Sequence, residues 1–253
     1  LFSIALSLTD KIDTLVGFFG INQKPTSSKD PFALKRIALG IIRILIENNK
    51  ELKIKDLKNY LNNLYKNQKL NLTNESLNNE LINFLKDRLK YYMKEKKIRH
   101  DIINASTTFF DVNKMTSIYK KALTLNKAIN NNLGLDIIST YKRASHILES
   151  EMKNLDLELN NTTDPGIFKT DYEKNLFKKI IELKKYFKDS DKHENYHQSL
   201  VKLSDTKKET FEFFDNVKVN DDDKNIKKNR LELLQMLCKT FENYINFSVI
   251  EGN

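Results

Sequence analysis

Apolar residues recur at intervals of three or four along most of the chain, which is the period of an amphipathic α-helix. The first such run predicts a helix that ends near Phe19, just before Gly20. A second helix is predicted to open at Asp30, a favourable N-cap, with Pro31 at the first helical position. Its buried face is predicted to comprise Phe32, Leu34, Ile37, Ala38, Ile41, Ile42, Leu45 and Ile46.

The same periodicity predicts helices over most of the remaining chain. They are expected at 53–66, at 74–97, from a cap at Asp111 to about Asn130, from Leu135 to about Lys153, and at 171–188, 193–217 and 222–247. Residues 154–170 are predicted to form a loop, because they contain Asp164-Pro165-Gly166. Only three Pro and six Gly interrupt the chain. We therefore expect an all-α fold with two helical domains, 1–110 and 111–253, joined near 105–115.

The formal net charge is +9, which suits a polyanionic partner such as nucleic acid. Lysine and asparagine are in excess along the whole chain, however, and an AT-rich genome would produce the same bias. Charge alone therefore leaves a nucleic-acid partner and a merely solvated surface equally open.

The single cysteine, Cys238, lies in an apolar helical stretch, so no disulfide framework exists and a reducing, cytoplasmic environment is expected. No apolar run is long enough to span a membrane, and no signal peptide is recognisable. The chain begins at Leu1 inside an amphipathic pattern with no cap before it. We interpret it as part of a longer protein.

Two short motifs resemble metal sites, and neither has the right context. Residues 193–197, His-Glu-Asn-Tyr-His, match the H-E-x-x-H zinc motif, but they follow a highly charged segment and no third ligand is evident. His100-Asp101 has the form of the dyad of HD-type phosphohydrolases, yet His100 is the first histidine of the chain, so the upstream ligand is missing. No phosphate-binding glycine loop and no nucleophile–base arrangement is found. We expect no metal site, no catalytic residue and no cofactor in this chain.

Three blocks in the first half resemble a known family. Residues 8–21, LTDKIDTLVGFFGI, and residues 24–40, KPTSSKDPFALKRIALG, closely resemble a block in the beta subunit of bacterial tetrameric glycyl-tRNA synthetase. The family usually has Gly where this chain has Ser27, which alters one turn. Residues 99–105, RHDIINA, are similar to the family's Arg-His-Asp-Val-Ile-Asp-Ala.

Blocks in the second half resemble the DALR-type anticodon-binding domain that arginyl-tRNA synthetases also contain. They are residues 141–148, 211–219, 229–234 and 246–248, and the family has Asp where this chain has Asn246. The resemblance implies the C-terminal portion of an HD-like helical domain at 1–110, with Asp10 or Asp13 in the place of its last aspartate. At 111–253 it implies an anticodon-binding helical bundle.

The resemblance also implies partners. These are glycine tRNA, the alpha subunit of the synthetase and the remainder of the beta subunit, with no membrane partner. ATP and Mg²⁺ belong in this family to the alpha subunit, so the chain is expected to support glycylation without catalysing it. A non-catalytic helical scaffold for another protein is the alternative from a different class.

Six residues are predicted to lie on or behind the RNA-binding surface: Lys142, Arg143, Asn216, Lys218, Asn229 and Arg230. Asn216 is the candidate base reader, and the cations are expected on phosphates. Because arginine is rare in this chain, Arg230 is predicted to make a bidentate contact with a phosphate or a carboxylate or, equally, an ion pair with Asp215. Phe211, Phe213 and Phe214 alternate with charge, which is compatible with base stacking, but Phe214 and Val217 are assigned to the core.

Overall fold

The computed structural model describes residues 2–52, 75–152, 159–160, 162–190 and 195–251. Within these ranges the secondary structure is helical and contains no strand, which confirms the all-α prediction. None of the described helices is both long and apolar enough to cross a membrane. Contacts between Cα atoms divide the chain into two compact units, Leu1–Lys120 and Lys121–Asn253.

The described residues of the first unit form α1 (Phe2–Gly20), α2 (Leu34–Glu47), α3 (Glu75–Glu95) and α4 (His100–Thr107), together with the first part of α5 (Met115–Ala128). Helix α2 packs against both α1 and α3, and α4 packs against α3. The core contains the almost fully buried residues Leu15, Phe19, Ile41, Ile42, Leu45, Leu85, Leu89 and Met93. Of these, Ile41, Ile42 and Leu45 were predicted for the buried face of α2. The helix predicted at 53–66 lies outside the described residues.

The start of α2 differs from the prediction. Asp30 does cap the helix, since its carboxylate accepts hydrogen bonds from the backbone N–H groups of Leu34 and Lys35 at 2.8 and 3.0 Å. The helix begins four residues later than this cap, however, after a turn that places Ala33 at φ 54°. Phe32 therefore belongs to the turn and not to the helix, and the prediction that it lies in the buried face was wrong. It is 41% exposed and stacks on Phe18.

Helix α5 also begins later than predicted. Asp111 caps a short 3-10 helix, Val112–Lys114, by accepting from the backbone N–H of Asn113, and α5 follows from Met115. The first N–H groups of α5 are satisfied by Glu51, whose carboxylate oxygens accept from Thr116 and Ser117 at 3.1 and 2.7 Å. A carboxylate at a helix N-terminus is stabilised by the free N–H groups and by the helix dipole.

The second unit contains α6 (Asn132–Met152), α7 (Asp171–Ser190), α8 (Tyr196–Ser204), α9 (Lys207–Asn216) and α10 (Lys224–Glu242), and a final 3-10 helix, Phe247–Val249. Helices α6 and α10 form the most extensive helix pair of the unit, α8 and α9 pack on α6, and α7 contacts α9 and α10. Tyr141, Phe241 and Phe247 form an aromatic cluster with ring centroids 5.7–6.0 Å apart. This cluster joins both central helices to the C-terminal turn.

The single helix predicted at 193–217 is two helices. The break falls at Asp205 and Thr206, between α8 and α9. Thr206 is fully buried, and its hydroxyl donates to the carbonyl of Leu203 at 2.6 Å. Short polar side chains that bond to the neighbouring backbone favour such a break over a continuous helix. As a result, α9 is aligned independently of α8 and can contact both α6 and α7.

Candidate nucleic-acid interface

One face of the second unit combines a guanidinium group, two aromatic rings and a carboxylate. Arg143 lies on α6, and its Cζ is 4.7 Å from the ring centroid of Phe211 and 4.8 Å from that of Phe214 on α9. Its Nη2 donates to Oδ1 of Asp215 at 3.0 Å. Cation–π contact with two rings holds the guanidinium in place independently of the ion pair.

Two lysines add positive charge, Lys207 on this face and Lys142 beside Arg143 in the sequence. Lys207, at the start of α9, lies 2.6 Å from Asp136 on α6 and 5.6 Å from the ring centroid of Phe211. Lys142 is half-buried on α6, and its ammonium forms no ion pair with the described residues. The two phenyl rings thus support this chain's own cations, and Phe214 is half-buried, so the prediction that it belongs to the core was wrong. Val217, assigned to the core with it, is buried.

Asn216 and Lys218 lie at the C-terminal end of α9. Both are exposed, as a surface position requires. The Nδ2 of Asn216 donates to the carbonyl of Glu212 at 2.9 Å, so its amide is partly occupied within its own helix. The ammonium of Lys218 is 4.0 Å from Asp222, an exposed pair that leaves it accessible to other anions.

Asn229, on α10, holds the loop before α7. Its Oδ1 accepts from the backbone N–H of Asp164 at 2.7 Å, and its Nδ2 donates to the carbonyl of Asp164 at 3.0 Å. The residue is 3% exposed. Asp164 in turn caps the 3-10 helix Pro165–Ile167 by accepting from Gly166 N. Asn229 therefore holds the backbone and is not available to a ligand.

Arg230 is also buried and makes three interactions within the second unit. Its Nε donates to Glu173 at 2.8 Å, and its Nη1 donates to Asp221 at 2.6 Å and to the carbonyl of Lys218 at 2.9 Å. The predicted alternative of an ion pair with Asp215 was wrong, because the carboxylate of Asp215 binds Arg143 instead. Arg230 thus connects α10 to the start of α7 and to the loop after α9.

Glu173 is the residue of this network that the sequence analysis missed. It closes a capping box at the start of α7, because its carboxylate accepts from Thr170 N while Glu173 N donates to the Thr170 hydroxyl. Burial by itself would raise the pKa of Glu173, but hydrogen bonds from Arg230 and Thr170 outweigh it, and the pKa lies below its ordinary value. The Thr-x-x-Glu spacing at 170–173 was visible in the sequence and could have identified it.

The groups considered for metal or covalent chemistry lie apart from this face. His193 and Glu194 of the H-E-x-x-H match lie outside the described residues, and His197 is exposed on α8. Within the described ranges no group of three or more His, Cys, Asp or Glu side chains could hold a metal ion. Cys238 is buried, and burial raises the pKa of its thiol to about 12, so it remains protonated near neutral pH.

The His100-Asp101 pair in the first unit has a structural environment. The carboxylate of Asp101 is buried and accepts from Arg99 Nε and Nη2 at 3.1 and 2.7 Å. His100 Nδ1 lies 3.3 Å from the amide of Asn104, one turn further along α4. These contacts lie at the start of α4.

Two family models match the chain over separate ranges. Residues 1–108 match the glycyl-tRNA synthetase beta subunit model, and residues 137–250 match the model of the DALR anticodon binding domain. The second range contains Arg143, Phe211, Phe214 and Asp215 of the face built by α6 and α9.

Curated relatives match across both ranges. The glycine–tRNA ligase beta subunit of Rickettsia africae is 38% identical over 96% of this chain and 34% of its own length. That of Cereibacter sphaeroides is 32% identical over 99% of this chain and 36% of its own length. The chain spans about a third of the length of these relatives.

Proposed function

We propose that this chain, which belongs to the glycyl-tRNA synthetase beta subunit family, binds the anticodon arm of glycine tRNA and thereby supports the ATP-dependent glycylation of that tRNA. The observation that carries this proposal is the cationic face of α6 and α9, which lies inside the range that matches the anticodon-binding model. The relatives are named ligase subunits, so the chain is proposed as part of an aminoacyl-tRNA synthetase.

The exposed groups of the second unit suit a single-stranded RNA loop. Lys142, Lys207 and Lys218 offer ammonium groups for phosphates, and Arg143 offers a planar guanidinium. Loop bases can be splayed out and read on their edges, which a duplex does not allow. Of the six predicted site residues, we retain Lys142, Arg143, Asn216 and Lys218 at the surface and assign Asn229 and Arg230 to its support.

The chemistry of glycine activation is proposed to lie in partner chains. ATP and Mg²⁺ would bind the alpha subunit, and the alpha subunit and the remainder of the beta subunit would complete the enzyme in the cytoplasm. The chain alone should then show no glycine-dependent ATP–pyrophosphate exchange above a buffer control. ATP–pyrophosphate exchange that depends on this chain would contradict the assignment of glycine activation to partner chains.

A titration with RNA tests the binding proposal. Glycine tRNA, and a variant with both anticodon cytosines changed to adenine, are titrated with the chain at two salt concentrations. Glycine tRNA should bind more tightly than the variant, and its affinity should fall steeply with salt because phosphate contacts release counterions. Equal and salt-insensitive affinity for both RNAs, or no binding of either, would overturn the proposal.

A pair of lysine variants locates the binding surface. Lys218→Ala should weaken the binding of both RNAs by a similar factor and reduce the salt slope by about one unit, as expected for one lost phosphate contact. Lys94→Ala removes an exposed lysine of α3 in the first unit and serves as the matched control. A larger effect of Lys94→Ala than of Lys218→Ala would place the RNA elsewhere.

A further inference from the structure

We propose that the Arg143–Asp215 pair reads the Watson–Crick edge of an anticodon cytosine. The Asp215 carboxylate would accept from the exocyclic amino group, and the Arg143 guanidinium would donate to the ring nitrogen or the carbonyl oxygen. This inference rests on the proposed binding of the anticodon arm and names the base and the reading groups. It also replaces the assignment of Asn216 as the base reader and of Arg143 as a phosphate contact.

The pair leaves both a hydrogen-bond acceptor and hydrogen-bond donors available to a ligand. Oδ1 of Asp215 accepts from Arg143 Nη2, whereas its Oδ2 has no hydrogen-bond partner among the described residues. The Arg143 guanidinium has five N–H donors, and Asp215 is its one hydrogen-bond partner within the described ranges. The side chains of Arg143 and Asp215 are 35% and 63% exposed. An acceptor therefore stands beside several donors at an accessible position.

This array is complementary to cytosine. The Watson–Crick edge of cytosine presents a donor, the amino group, followed by two acceptors, N3 and O2. Uracil presents an acceptor and then a donor at the first two positions, so its O4 would face the carboxylate, which can only accept. A carboxylate that accepts from the cytosine amino group is a recognised mode of base readout. The pair should therefore favour cytosine over uracil.

Cytosine is the base that a glycine-specific site has to recognise. All glycine codons begin with two guanines, so two of the three anticodon bases of glycine tRNA are invariant cytosines. Both lie in a single-stranded loop, where their Watson–Crick edges are free in the absence of the codon. Asn216 suits this task less well, because its amide nitrogen is already hydrogen-bonded to the carbonyl of Glu212.

The placement of Asp215 is difficult to explain by stability. The residue lies in the last turn of α9, where the helix dipole disfavours a negative charge. Its ion pair with Arg143 is largely exposed, and such pairs add little to stability. A carboxylate on a surface that binds RNA also repels phosphate. A base-reading role accounts for a negative charge at this position, because only an acceptor can select the amino group of cytosine.

The test measures how tightly the unmodified chain and the Asp215→Asn variant bind tRNAs that differ at one base. Glycine tRNA is measured against two variants, each with one of the two anticodon cytosines changed to uracil. The unmodified chain should prefer cytosine at one of these positions by about tenfold or more. The asparagine side chain can present either an amide oxygen or an amide nitrogen, so Asp215→Asn should reduce that preference to about twofold or less.

Asp136→Asn is the matched control. It also removes a carboxylate that pairs with a cation between α6 and α9, here Lys207 at 2.6 Å. The loss of a negative charge should strengthen the binding of all three RNAs by a similar factor and leave the cytosine-to-uracil ratio unchanged. Arg143→Lys keeps the positive charge but loses the planar guanidinium group. It should therefore lower the cytosine-to-uracil affinity ratio, as Asp215→Asn does. Unchanged circular dichroism and melting temperature verify the fold of each variant.

The outcomes separate this inference from the proposal on which it rests. If the chain binds none of the tRNAs, the proposed function fails and the base assignment fails with it. If binding is tight and salt-dependent but the cytosine-to-uracil ratio is the same in Asp215→Asn as in the unmodified chain, only the base assignment is overturned. An equal loss of preference in Asp136→Asn would also overturn it, because the effect would then reflect charge alone.

Discussion

Arg143 and Arg230 of the second unit differ in burial, and this difference determines what each can bind. Arg143 contacts two aromatic rings and one exposed carboxylate, and its side chain is 35% exposed. Arg230 is 5% exposed and lies between two carboxylates and a backbone carbonyl. The first can exchange its partner for a ligand, whereas the second cannot do so without exposing a buried charge.

Replacement of these two arginines should affect stability very differently. Arg230→Met removes the cation and leaves the nearly fully buried Glu173 carboxylate without its charged partner, which should cost about 3–5 kcal/mol. Arg143→Met breaks an exposed pair and should cost about 1 kcal/mol or less. Urea-induced unfolding followed by circular dichroism measures both. Similar losses in the two variants would contradict the assignment of Arg230 to the core.

The Glu173 carboxylate should also make stability depend on pH. Its pKa in the folded chain lies below the ordinary 4.5, so its ionised form is stabilised by folding. That contribution is complete above pH 4.5 and is lost as the pH falls from there through the lower folded pKa. Glu173→Gln should therefore be less stable than the unmodified chain near neutral pH, with a difference that narrows as the solution is acidified below the ordinary pKa. A difference that stays constant across this range would contradict the account.

The rarity of arginine correctly indicated contacts with carboxylates, but neither Arg143 nor Arg230 makes the bidentate contact that was predicted, and the partners were not identified. Both Arg143 and Arg230 do bind carboxylates, as planar guanidinium groups favour. Which carboxylate each one binds depends on how α6, α7, α9 and α10 pack. Glu173 is 57 residues from Arg230 in the chain, and no periodicity brings them together. Contacts of this kind follow from tertiary packing and not from local pattern.

The close approach of α6 to the end of α5 is possible because Gly134 has no Cβ atom. A Cβ atom at Gly134 would lie 2.4 Å from the carbonyl oxygen of Ala128 and 2.6 Å from the Cα of Ile129. Both are backbone atoms, so the clash cannot be relieved by a change of rotamer. Gly134 therefore fixes how tightly the chain turns between these helices.

Gly134→Ala should accordingly destabilise the chain, by about 1–3 kcal/mol as overpacked sites do. Gly40→Ala is the matched control, because Gly40 lies inside α2 and its Cβ would meet only the flexible end of Lys11, at 3.0 Å. Since alanine favours a helix over glycine, this variant should be neutral or stabilised by about 0.5–1 kcal/mol. Thermal unfolding of the two variants measures the contrast, and effects of the same sign would refute the packing described for α6.

Helix positions were predictable from the sequence, whereas several ends and one break were not. The apolar period identified α2, α6 and α10 because each buries a broad stripe. The cap of α2 was identified correctly at Asp30, but a turn with one residue at positive φ delays the helix to Leu34. The break at Thr206 was missed because the apolar pattern continues across it, and only the burial of its hydroxyl reveals the local hydrogen bond.

The two compact units have separate family matches. The first unit matches the beta-subunit model. Its His100 and Asp101, which resemble a metal-binding dyad, make structural contacts with Asn104 and Arg99 at the start of α4. The second unit matches the anticodon-binding model and contains the cationic face. The sequence motifs identified both ranges, but the arrangement of Arg143, Phe211, Phe214 and Asp215 required the packing of α9 on α6.

Backbone footprinting of glycine tRNA shows which part of the RNA the chain contacts. The tRNA is cleaved with hydroxyl radicals in the presence and absence of the chain, at a chain concentration that saturates binding. Binding through the face of α6 and α9 predicts protection concentrated in the anticodon arm, and Lys218→Ala should reduce that protection at equal chain concentration. Protection confined to the acceptor stem, or a cleavage pattern that the chain leaves unchanged, would contradict the account.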